Sequence, residues 1–107
     1  MGDVMKIPKL SDNVKEFFQY VLSRSKKTCD GLMYIGDYKG GYIFVSKLPK
    51  SLRGLCVGLP IFYYVKDYVV SVIDEDENEE LYDAAWGMLD PDNEDKFYTI
   101  TLDDENK

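Results

Sequence analysis

The sequence predicts an α+β fold: an antiparallel sheet of about five strands, in the chain order α-β-β-β-β-α-β, with both helices packed on one face. Three observations predict it. Val14, Phe17, Phe18, Val21 and Leu22 fall at i, i+3, i+4, i+7 and i+8, the spacing of one apolar helix face. Two stretches, Leu32–Leu48 and Ile61–Ile73, are rich in aromatic and β-branched residues, and each is interrupted by a short polar turn. Leu81, Ala84, Ala85 and Met88 then return to helical spacing before the strand-like run Phe97–Leu102.

The first helix is expected over Asp12–Lys27. Ser11, Asp12 and Asn13 offer N-caps, while Arg24, Lys26 and Lys27 stand where the carbonyl end of the helix dipole favours positive charge. Asp30-Gly31 is a turn signal beyond it. Leu32–Asp37 and Tyr42–Lys47 then read as a hairpin around Lys39-Gly40-Gly41. Pro and Gly punctuate Pro49–Gly58, which reads as a connection carrying one helical turn at Lys50–Leu55.

A second hairpin follows, Ile61–Val65 and Tyr68–Ile73, joined by Lys66-Asp67. Both of its runs are almost continuously apolar, the pattern of central strands covered on two faces. Asp74–Glu80 is almost wholly acidic and suits the first turn of a helix, where its charge meets the positive end of the dipole. Asp90-Pro91 ends that helix, and Phe97–Leu102 forms the last strand before a polar tail. The chain of 107 residues has material for one core, so residues 1–107 are expected to form a single domain with flexible ends at 1–9 and 103–107.

Composition excludes several classes of function. Apolar residues make up 45% and aromatic residues 14%, enough for a packed interior and too much for a disordered chain. The longest apolar stretch, Leu55–Val65, contains Gly58, Pro60 and two tyrosines, and is shorter than the roughly 20 residues a membrane helix needs. Met1–Lys9 has no continuous hydrophobic segment and no secretory pattern, which points to the cytoplasm. Cys29 and Cys56 match neither a CxxC redox pair nor a zinc ribbon, and buried free thiols are the expectation in that reducing setting, with a single disulfide as the alternative. There is no histidine, so neither a histidine-based nucleophile nor a histidine-containing metal site can be built.

Charge is distributed unevenly. Met1–Arg53 carries ten basic and five acidic residues, a balance of +5, whereas Gly54–Lys107 carries three basic and fifteen acidic residues, a balance of −12. The basic half, with Tyr34, Tyr38, Tyr42 and Phe44 interleaved, has ingredients of a nucleic-acid surface, but a net charge of −7 opposes that reading.

The candidate motifs are incomplete. Asp74-Glu75-Asp76-Glu77-Asn78 opens like a calcium loop, yet the sixth position is Glu79 where the turn needs Gly, and the twelfth is Ala85 where a bidentate Glu should close the site. The run from Asp90 to Asp95 fails in the same way, with Asp95 at the sixth position and Thr101 at the twelfth. Glu79 and Asp83 share one helix face and could in principle divide acid and base roles, but that spacing is ordinary on a solvated helix. Gly36–Gly41 lacks the glycine spacing of a phosphate loop and lies inside a hairpin. Tyr82 and Trp86, beside the apolar stripe of the second helix, read as core or groove-edge residues rather than a ligand cage.

What remains is a small acidic protein with no expected catalytic residue, metal or cofactor. Its function is expected to be non-enzymatic protein binding, with Asp74, Glu75, Asp76, Glu77, Glu79, Glu80 and Asp83 facing a basic partner. Inhibitors and immunity proteins that block basic nuclease toxins share this size and charge, an analogy of bulk properties only. The alternatives are an oligomer-forming subunit, which an exposed apolar sheet edge would favour, and direct nucleic-acid binding through the basic half.

Overall fold

The computed structural model describes residues 9–25, 29–47 and 60–102. In chain order they form α1 (Asp12–Arg24), β1 (Gly31–Tyr38), β2 (Gly41–Lys47), β3 (Phe62–Lys66), β4 (Val69–Val72), α2 (Glu79–Met88), a 3-10 helix (Pro91–Lys96) and β5 (Tyr98–Ile100). The predicted α+β class and element order hold. The helical turn expected at Lys50–Leu55, the continuation of α1 through Lys26 and Lys27, and Cys56 lie outside the described residues, as do 1–8 and 103–107 of the expected flexible ends.

All pairings in the five-stranded sheet are antiparallel, and the spatial order is β4-β3-β2-β1-β5. Short turns join β1 to β2 and β3 to β4. The turn between β1 and β2 places Lys39 and Gly40 at φ 46° and 85°, and that between β3 and β4 places Asp67 and Tyr68 at 55° and 66°. Positive φ at both central residues matches the right-handed twist of the flanking strands. Gly40 enters this region freely, whereas the bulky Tyr68 does so against its steric preference. β5 returns from the far end of the chain to pair with β1, Leu32 opposite Ile100 and Tyr34 opposite Tyr98.

The helices do not share a face, contrary to the sequence expectation. Val14, Phe18 and Leu22 of α1 pack with Leu32, Tyr34, Phe44, Tyr63 and Val65. Leu81 and Ala85 of α2 pack with Met33, Ile35, Ile43, Val45 and Phe62. Side chains alternate across a strand, so the two sets occupy opposite faces and the sheet is the middle of three layers. A helical stripe shows which side of the helix is buried and says nothing about which side of the sheet receives it.

One irregularity positions α2. The β1–β2 register shifts between Tyr34 and Gly36, a bulge that re-aims the end of β1. Met88 lies against Gly36 so closely that a Cβ there would come within 2.9 Å of its Sδ. The C-terminal end of α2 thereby rests on backbone.

A second correction concerns β4. Its apolar run suggested a central strand, but β4 is the edge of the sheet, and Val69 and Val72 are exposed. Continuous apolar character signals two covered faces only where neighbours exist to cover them.

Candidate functional site

The acidic stretch is a turn followed by a helix, rather than a single helical turn. Asp74 folds its side chain back, with Oδ2 accepting the backbone N–H groups of Asp76 at 3.1 Å and Glu77 at 2.9 Å. Its carbonyl accepts the N–H of Asn78 at 2.9 Å, closing the turn. Short carboxylate side chains compete for local backbone donors in this way, which delays the start of α2 to Glu79. Glu79 and Glu80 then occupy the first turn of α2, where the dipole favours them.

Glu80 is committed elsewhere. Its Oε2 accepts from the Tyr38 hydroxyl at 2.8 Å and from Lys39 Nζ at 2.9 Å, linking α2 to the β1–β2 turn. The Lys39 ammonium, followed by the Tyr38 hydroxyl, holds the Glu80 carboxyl below its ordinary value. Reciprocally, the hydrogen bond to Glu80 pushes both the Tyr38 phenol and the Lys39 ammonium up. The group lies in solvent, so its role is to fix a geometry more than to add stability.

Of the seven predicted binding residues, Asp74 and Glu80 therefore have structural duties. Glu75, Asp76, Glu77, Glu79 and Asp83 are all exposed, and among the described residues no cation lies within ion-pair distance of them. Glu75, Asp76 and Glu77 lie in the turn, and Glu79 and Asp83 on the helix that follows it. The grip of Lys39 and Tyr38 on Glu80 was invisible to sequence reasoning, since no short spacing links positions about forty residues apart.

Behind this surface, α2 is anchored by aromatic rings. Phe62 meets Tyr82 and Trp86 edge-on, with centroids 5.7 and 5.3 Å apart. These ring contacts fix the helix against β3. No group of three or more potential ligands converges on a metal-sized site among the described residues.

The molecule also has an open cleft of about 460 Å3 between the start of α1 and the tips of both hairpins. Leu10 and Val14 form its floor, while Lys9, Lys66, Tyr42 and Tyr68 contribute to its walls. Among the described residues Asp67 is its one carboxylate, and no residue of the acidic stretch borders it. Cys29 is a free, buried thiol whose Sγ donates to the Gly31 carbonyl at 3.1 Å, and burial pushes its pKa up. A raised pKa and an enclosed position are the opposite of an activated nucleophile.

No described helix is long and apolar enough to cross a membrane. Comparison with known protein families, curated proteins and solved structures finds no match for this chain.

Proposed function

We propose that this protein is a non-enzymatic binding module, of the inhibitor or immunity kind, that engages a basic surface on a partner protein. One observation carries the reading: Glu75, Asp76, Glu77, Glu79 and Asp83 stand exposed and unpaired on one turn-helix unit, among the described residues. Like charges gathered in this way repel one another, and a basic partner relieves that repulsion. The aromatic anchor at Phe62, Tyr82 and Trp86 keeps the unit in place, so little ordering is needed on binding. A cytoplasmic setting accords with the free thiol of Cys29.

The experiment is affinity capture from the source cell, followed by surface plasmon resonance on the captured partner at low and physiological ionic strength. Charge reversal should combine Glu75→Lys, Glu77→Lys, Glu79→Lys and Asp83→Lys, leaving Asp74 and Glu80 to their structural roles. Association should slow by about tenfold or more, in the reversed protein and in the wild type at the higher salt. Equal on-rates in all four measurements would overturn the reading and leave solubility as the purpose of the acidic surface.

A further inference from the structure

We draw no further inference here: the strongest candidate, the open cleft between the start of α1 and the tips of both hairpins, borders Lys9, where the described residues begin, and nothing in the structure shows what covers it.

Discussion

The ring of Tyr64 lies directly over Gly41, and a Cβ at Gly41 would come within 2.6 Å of Tyr64 Cζ and 2.7 Å of the Val65 carbonyl oxygen. The same tyrosine hydroxyl donates to the Tyr38 carbonyl at 2.7 Å, so Tyr64 ties β3 to the β1–β2 turn across β2. Gly41→Ala should therefore destabilise by about 1–3 kcal/mol or more, because the backbone contact cannot move aside. Urea unfolding would measure it. Tyr64→Phe on that background should rescue little, since the ring and carbonyl contacts remain.

Phe18 is fully buried, with its ring centroid 5.0 Å from that of Phe44 and 5.9 Å from that of Tyr63. Truncating it removes the centre of the α1-side core and leaves a cavity that the rigid sheet cannot close. Phe18→Ala should cost about 3–5 kcal/mol. An unchanged denaturation midpoint would contradict the placement of α1.

The β3–β4 turn holds Asp67 and Tyr68 at positive φ without a glycine, while the Tyr68 carbonyl accepts from Asn13 Nδ2 at 2.9 Å. Replacing the pair by Asn-Gly keeps that carbonyl and removes the steric cost. The double variant Asp67→Asn, Tyr68→Gly should be more stable by up to about 1 kcal/mol. A loss of stability in urea unfolding would mean that the exposed Tyr68 ring contributes more than its backbone costs.

Stability should be flat from about pH 6 to pH 8, because the chain has no histidine to titrate there. On the acid side, the carboxyl of Glu80 is held low in the folded state. Its contribution is complete above the ordinary carboxylate value and is lost as pH falls through the lowered one. On the alkaline side, burial and the Asp37 carboxylate, which accepts the Tyr34 hydroxyl, push the Tyr34 phenol well up, and burial raises Cys29. Groups raised in the folded state contribute fully below their ordinary values, and that stability declines as pH rises through the elevated ones. Thermal melts should fall at both extremes, with Glu80→Gln reducing the acid slope and Tyr34→Phe the alkaline one.

The elements themselves were legible because each depends on neighbours in sequence. Val14, Phe18 and Leu22 marked the face of α1, and Lys39-Gly40 marked the first turn. What the sequence concealed depends on partners far along the chain. The return of β5 to β1 and the seating of Met88 on Gly36 have no local signature. The opposite-face placement of the helices did have one: Leu32, Met33, Tyr34 and Ile35 are all buried, and an apolar run of both parities needs cover on both sides. Within the site, the exposed carboxylates were readable as charge, whereas the diversion of Glu80 to Lys39 required the fold.

Sandwiching the sheet between α1 and α2 makes β2 the innermost strand. Ile43, Phe44 and Val45 are fully buried in succession, paired with β1 on one side and β3 on the other. Either helix can lift away and uncover only one side of that strand, so its amide hydrogens gain access to water only when the whole molecule opens. Hydrogen exchange at these three residues therefore reports global stability in plain buffer, while amides of α2 can exchange through partial openings that leave the α1 side intact.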